Sequence, residues 1–262
     1  MDLGIRGVTA VVTGGASGIG AAVVSLLRAE GAIPVCWDLV LPGSGQESAA
    51  AYAIEADITS LGSVQSAWQQ TEQRSGAVEI LVHCAATGSG HFGFPYMNVP
   101  AAAWERVLRV NVLGMANVAE VAGRVMSARR RGAMVFLSSV AGQMGSPTDP
   151  PYSASKAANI NFAQVMAKDL AASGVRVNTV CPGMVRTPLN RAVWESWYRD
   201  QPEGGRMSYE EWADDKIRRV IPLGRWQQPE DVAAMIVFLS SPRASEITGQ
   251  TINVDGGCVM NW

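Results

Sequence analysis

The stretch from Val8 to Gly31 constrains what this chain can fold into more than any other. Val8 to Val12 is a short apolar, β-branched run, which reads as a buried strand. It leads directly into Thr13-Gly14-Gly15-Ala16-Ser17-Gly18-Ile19-Gly20, after which Ala21 to Glu30 has helical spacing and Gly31 supplies a stop. Glycines in that context let the backbone approach a pyrophosphate closely. The helix behind them presents free N–H groups and the positive end of its dipole to the same anion. A tight turn without ligand is the competing reading, and the flanking strand and helix favour the nucleotide loop.

The next strand, Ile33 to Trp37, is closed by Asp38, 18 residues beyond Gly20. An acid about 20 residues after such a loop binds an adenosine ribose. A carboxylate there accepts from both ribose hydroxyls and repels a 2′-phosphate. No Arg or Lys lies between Gly14 and Gly20 or at Leu39, where a phosphate would need one. These residues favour NAD over NADP.

Further strands are expected over Tyr52 to Ala56, Val78 to His83, Ala133 to Leu137, Val175 to Val180 and Thr251 to Val254. Helical stretches run to Arg74 from a cap at Thr59 or Ser60, from Ala101 to Arg130, from Lys156 to Leu170 behind Pro150 and Pro151, and from Pro229 to Leu239. Gly114 and Gly123 within the second of these read as packing accommodations. Leu41 to Ala51 reads as a loop. Seven short strands alternating with helices predict one α/β domain over residues 1–262, a Rossmann-like, doubly wound seven-stranded parallel sheet with helices on both faces. Ligands of such sheets sit outside the carboxyl ends of the strands. Gly14 to Gly20, Asp38, Asp57, Cys84 to Gly88, Ser139 and Pro182 to Thr187 all follow strand ends, which gathers them at one site.

Tyr152-Ser153-Ala154-Ser155-Lys156 adds chemistry to that site. On a helix, positions four apart share a face. A phenol titrates near ~10, and a neighbouring ammonium favours the phenolate, so Tyr152 is a candidate general acid/base. Taken alone, such a pair is an ordinary helix face. Asn111 sits mid-helix, an unfavourable place for Asn, which hints at a specific hydrogen bond.

Net charge is −2, which gives no reason to expect nucleic acid or an anionic membrane as partner. No apolar run reaches the ~18 residues of a membrane span, and Met1 to Arg6 is too polar for a signal peptide. The four cysteines, Cys36, Cys84, Cys181 and Cys258, stand far apart and read as buried thiols of a reducing compartment; a cytoplasmic protein is expected. His83, His91 and Cys84 match no zinc spacing, so no metal is expected.

Taken together, Thr13-Gly14-x-x-x-Gly18-Ile19-Gly20, Asn111, Ser139, Tyr152-x-x-x-Lys156, Pro182-Gly183 and Gly249-Gln250-x-x-x-Val254-Asp255-Gly256-Gly257 resemble the short-chain dehydrogenase/reductase family, in order and across nearly the whole chain. The resemblance implies an NAD-dependent oxidoreductase acting on a secondary alcohol or ketone. Tyr152 would exchange the proton. Lys156 would lower the tyrosine's pKa and bind the nicotinamide ribose. Ser139 would hold the substrate oxygen, and Asn111 a water linking Lys156 to solvent. Gly14, Ser17, Gly18, Ile19, Gly20, Asp38, Leu39, Cys84, Ala85, Ala86, Pro182 and Gly183 would line the cofactor. Asp57-Ile58 would meet adenine, and Val185 and Thr187 the carboxamide. A homotetramer, or a homodimer, is implied, with the last strand and late helix at subunit contacts and Trp262 reaching a neighbour. His83-Cys84-Ala85-Ala86 departs from the family's usual Asn-Asn-Ala-Gly and removes a side-chain amide that braces the sheet.

Residues 188–222 resemble the family's substrate lid and are rich in aromatics. Trp194 and Trp197 are expected either to close over the substrate or to form ordinary core; Gln143, Met144, Phe92, Phe94 and Tyr96 are further candidates for the pocket wall. An aromatic wall suits an apolar ketone, and polyols, sugars or sugar acids also stack on tryptophan. Two readings from other classes are a catalytically silent nucleotide-sensing or scaffold protein and an S-adenosylmethionine methyltransferase; neither accounts for Ser139, Tyr152 and Lys156 together.

Overall fold

The computed structural model describes residues 2–41, 49–146 and 148–260. Seven strands form one parallel sheet: β1 (Thr9–Thr13), β2 (Ile33–Asp38), β3 (Tyr52–Glu55), β4 (Val78–His83), β5 (Gly132–Leu137), β6 (Val175–Pro182) and β7 (Thr251–Val254). Their order is β3-β2-β1-β4-β5-β6-β7. The chain therefore winds outward from β1 in both directions, and the crevice lies between the carboxyl ends of β1 and β4, where the direction switches. Among the described residues eight α-helices accompany the sheet: α1 (Gly18–Ala29), α2 (Leu61–Ser75), α3 (Ala101–Leu108), α4 (Gly114–Arg129), α5 (Pro150–Leu170), α6 (Pro188–Asp200), α7 (Tyr209–Val220) and α8 (Pro229–Ser240).

Strand side chains alternate between two cores, as the pleat requires. Val11, Val35, Trp37, Leu81, Met134, Phe136 and Val177 face one side, where α2, α4 and α5 supply Val64, Trp68, Val118 and Met166. Ala10, Val12, Ile80, Val82, Val135 and Val180 face the other, where α1 and α8 supply Val23, Leu27, Ile236 and Leu239. Burial on both faces explains why these strands read as continuous apolar runs.

The helix expected over Ala101 to Arg130 is two helices joined by a π-turn at Arg109–Leu113, with Asn111 inside it. Helix α5 begins six residues before Lys156, because Asp149 caps it through the Tyr152 N–H (3.3 Å) and Pro150 and Pro151 suit its first turn. Ser60 caps α2 by accepting from the Ser63 N–H. A Cβ at Gly114 would stand 2.7 Å from Ile58 Cδ1, so glycine there does admit close packing, whereas Gly123 meets only an ordinary contact at 3.9 Å. Cys36 and Cys181 are buried, but Cys84 and Cys258 are only half-buried, and none is in a disulfide. Residues 42–48 of the expected loop, and Trp262, lie outside the described residues. No described helix is long and apolar enough to cross a membrane.

Candidate active site

The crevice holds a cavity of about 410 Å³. Of the residues expected to line a cofactor, it brings together Gly14, Ser17, Gly18, Ile19, Gly20, Asp38, Leu39, Ile58, Cys84, Ala85, Ala86, Tyr152, Lys156, Pro182 and Thr187. The glycine turn is fixed by close approach. A Cβ on Gly20 would fall 2.1 Å from the Gly14 carbonyl oxygen, and one on Gly14, whose φ is +67°, would fall 2.8 Å from the Ala85 backbone. Behind the turn, α1 starts at Ser17, whose hydroxyl makes no capping bond, so the first N–H groups of that helix keep their donors for a ligand. Asp38 accepts from the Ala16 N–H (3.1 Å) and the Val40 N–H (3.4 Å), which ties the strand end to the turn and leaves carboxylate lone pairs facing the cavity. Close-packed glycines, an open helix N-terminus and a carboxylate beyond them fit the pyrophosphate and ribose of a dinucleotide.

The catalytic candidates sit at the other end of the same cavity. Lys156 is 1% exposed, yet it lines the cavity wall. Its Nζ donates to the Leu137 carbonyl (2.7 Å) and stands 5.4 Å from the centroid of the Tyr152 ring. The Ser138 hydroxyl anchors the helix by donating to the Lys156 carbonyl (2.7 Å). Burial pushes Lys156 down to about 8. Tyr152 is half-buried in the wall, and its phenol is pushed up, first by burial and then by the Asp149 carboxylate; a hydrogen bond with the Ser139 hydroxyl pulls the other way. This differs from the expected lysine-acidified phenol. Desolvation of the phenolate is the largest influence on it.

Asn111, fully buried, is a brace. Its amide donates to the Thr87 carbonyl (2.9 Å) and the Ser155 hydroxyl (2.9 Å) and accepts from the Thr87 N–H (2.8 Å). The side chain is committed to Thr87 and Ser155. Asp57 also differs from expectation: its carboxylate accepts from the Thr59 N–H and hydroxyl, both at 2.8 Å, and only Ile58 of that pair lines the cavity. Gly183 serves packing, donating to Gln227 Oε1 (2.9 Å) and leaving no room for a Cβ beside Asp255. The Val185 side chain is in the core beside α8. Val185 and Gln227 form a bridge through the Met184 carbonyl and the Arg186 N–H, so Val185's own N–H and C=O point the other way, as they alternate along a strand. Thr187 caps α6 by accepting from the Asn190 N–H and lies against Gly18, joining the lid to the turn.

His83 takes over the lost amide's bracing. Its Nδ1 lies 2.9 Å from the Thr13 hydroxyl, which in turn accepts from the Ala85 N–H (3.3 Å). The Thr13 hydroxyl can donate to Nδ1 or accept from it according to the ring tautomer, and Nε2 is buried without a partner among the described residues. Burial, with the nearby Lys156 charge, pushes His83 down to about 3, so it is neutral.

The substrate candidates fall outside the cavity. Gln143 donates to Asn253 Oδ1 (2.8 Å), and Met144 is exposed. Trp194 and Trp197 pack with Tyr209, Trp212, Met184 and Trp226 in a small core of the lid, and Trp194 Nε1 donates to the Met207 carbonyl (3.1 Å). Phe94 and Tyr96 are exposed. Sequence reading missed Arg106, Val110 and Leu189 in the cavity wall, and Asp149. Asp149-Pro150-Pro151 is an N-cap pattern that could have revealed the last; nothing in the sequence marks the others.

A family profile described as enoyl-(acyl carrier protein) reductase matches residues 14–259. The chain is 36% identical over 257 residues to 2-(S)-hydroxypropyl-CoM dehydrogenase 3 of Xanthobacter autotrophicus, covering 94% of each. It is 36% identical over 255 residues to cis-4-hydroxycyclohexanecarboxylate dehydrogenase of Sinomonas cyclohexanicum, covering 95% of each. The structure of Thermoplasma acidophilum aldohexose dehydrogenase superposes with a TM-score of 0.85 at 28% identity, covering 97% of this chain and 94% of that one.

Proposed function

The chain belongs to the short-chain dehydrogenase/reductase family, and from that premise we propose that it is an NAD-dependent enzyme interconverting a secondary alcohol and a ketone, with Tyr152 as the general acid/base. The observation that carries this reading is the shared cavity: the glycine turn and Asp38 at one end, Tyr152 and Lys156 at the other. Bound NAD supplies the hydride acceptor, and its reduced form the donor. The chain's own residues do the rest. Ser139 Oγ, which accepts from the Ala141 N–H (3.1 Å) and draws the phenol's pKa down, would hold the substrate oxygen together with Tyr152 Oη. Lys156 spends one N–H on Leu137 and has two left for ribose hydroxyls. The Val185 backbone offers a donor and an acceptor for a carboxamide. With its pKa raised, Tyr152 is protonated at neutral pH, the form that carbonyl reduction consumes.

Asp38 supports NAD, since a 2′-phosphate beside its carboxylate would be repelled and no cation flanks it at Leu39. The alcohols named for the two 36%-identical relatives support a small hydroxylated substrate, one of them a carboxylate. The structural likeness to an aldohexose dehydrogenase supports a second reading, a sugar or polyol substrate. The test is NAD⁺ reduction scanned over secondary alcohols, hydroxy acids, polyols and aldohexoses, with NADP⁺ in parallel. Turnover confined to aldohexoses would replace the first reading with the second, turnover of none would remove both, and a preference for NADP⁺ would remove the role given to Asp38.

A further inference from the structure

On α7, Glu210, Glu211, Asp214, Arg218 and Arg219 are exposed, while the buried stripe reads Tyr209, Trp212, Ala213, Ile217, with Lys216 beside it. That stripe packs over Met184, which follows the carboxyl end of β6. Lys216 is half-buried there. Its Nζ lies 4.4 Å from the centroid of the Trp212 ring, and its one hydrogen bond is a long one, 3.5 Å, to the Thr148 hydroxyl. Thr148 stands four residues before Tyr152 and next to Asp149, which caps the catalytic helix. No carboxylate pairs with Lys216 among the described residues. The adjacent acids are engaged elsewhere: Asp214 accepts from Trp226 Nε1 (3.3 Å), and Asp215 pairs with Arg219 (3.0 Å). Burial without an anion pushes Lys216 down to about 8.

A charge withdrawn from water with no counter-ion is costly, and the Trp212 face offsets only part of that cost. The neighbouring lid cations differ in burial: Arg186, Arg191 and Arg206 lie over the rings of Trp226, Tyr209 and Tyr198 but are exposed, whereas Lys216 is half-buried. The lid is tied to the loop after β4 by Arg199 donating to the Gly90 carbonyl (3.0 Å), and that loop is tied to Thr148 by the Gly93 N–H donating to its carbonyl (3.0 Å).

We propose that Lys216 anchors an anionic group on the substrate, a carboxylate or similar oxyanion remote from the carbinol carbon, held between the inner face of α7 and the loop at Thr148. The inference rests on the oxidoreductase reading and narrows its substrate to alcohols or ketones with a charged tail. Charge-assisted hydrogen bonds are the strong ones, contributing roughly 1.5–3 kcal/mol each, or about tenfold or more in affinity.

The test uses the full chain with 4-oxocyclohexanecarboxylate, 5-oxohexanoate and 6-oxoheptanoate, each against its methyl ester. The wild type should prefer the acids by about tenfold or more in kcat/KM. Lys216→Met should lower kcat/KM for the acids by a similar factor through KM, with kcat and the esters moved by less than about twofold, and Lys216→Arg should restore most of the loss. Equal use of acid and ester by the wild type, or equal loss of both in Lys216→Met, overturns the proposal. If none of these ketones is reduced, the oxidoreductase reading has failed separately. Fluorescence of the Trp212 region then decides on the anchor: saturable quenching by the acids alone, lost in Lys216→Met, supports it, and an indifferent response removes it.

Discussion

Around the glycine turn the crevice is shaped by backbone, whereas the lid of α6 and α7 beside it is built from side chains. On the first side the tolerances are set by atoms that cannot move aside, such as the Gly14 carbonyl 2.1 Å from where a Gly20 Cβ would be. On the second side the contacts are ring against ring, Trp194 with Tyr198 and Tyr209, Tyr209 with Trp226, and many rotamer combinations could fill the same volume. One half is therefore sensitive to single atoms and the other is adaptable. A cofactor common to many reactions suits the rigid half, and a variable substrate suits the adaptable one.

The seam between the halves is Tyr152, and its removal should have the largest effect. Tyr152→Phe deletes the proton carrier while keeping the ring that Lys156 faces. Turnover should fall by roughly 10²–10⁴-fold, with NADH affinity, measured by fluorescence titration, nearly unchanged. Residual kcat near wild type would show that the proton is handled elsewhere.

Gly20→Ala tests the rigid half. The added methyl cannot be accommodated without moving the turn, which should lower stability by about 3 kcal/mol and weaken NADH binding with it. Unchanged melting and binding would show that the turn yields.

How much of this was legible follows the same division. The seven strands, their termini and the glycine turn could be read from sequence because apolar run length and backbone conformation are local properties. Asp38 and the Tyr152–Lys156 pair could be read because their spacing fixes their geometry. The start of α5 was displaced by six residues because capping by Asp149, and not apolar periodicity, sets it. The π-turn at Arg109–Leu113 was invisible, since it depends on Asn111 meeting Thr87 and Ser155 from distant parts of the chain. The fate of Trp194 and Trp197 was undecidable for a similar reason: the same aromatic spacing serves a lid core and a substrate wall.

His83 belongs to the rigid half and gives it a pH signature. Its folded pKa, about 3, lies below the unfolded value near ~6.5, so between these values the unfolded chain binds more protons. The stability contribution is complete above the unfolded pKa and is lost as pH falls towards the folded one, by about 2 kcal/mol at pH 5. Urea unfolding of wild type and His83→Asn at pH 7 and pH 5 measures it. The variant should lose about 2 kcal/mol less over that interval, because asparagine can keep a hydrogen bond to Thr13 without a proton to gain. Parallel pH slopes would mean that the imidazole is protonated within the fold.

Trp194→Phe should have the smallest effect and tests the adaptable half most directly. The indole N–H bond to Met207 would be lost, while an aromatic ring still meets Tyr198 and Tyr209. One net hydrogen bond contributes roughly 0.5–1.5 kcal/mol, so thermal unfolding should shift by a few degrees at most. Because Trp194 does not line the crevice cavity, cofactor affinity should be unaffected, and kcat/KM should change by less than about threefold if the residue is lid core. A fall of tenfold or more at unchanged stability would instead put the indole against the substrate. The adaptable half would then contain a position as exacting as Gly20, and the division between backbone-made and side-chain-made surfaces would have to be redrawn residue by residue.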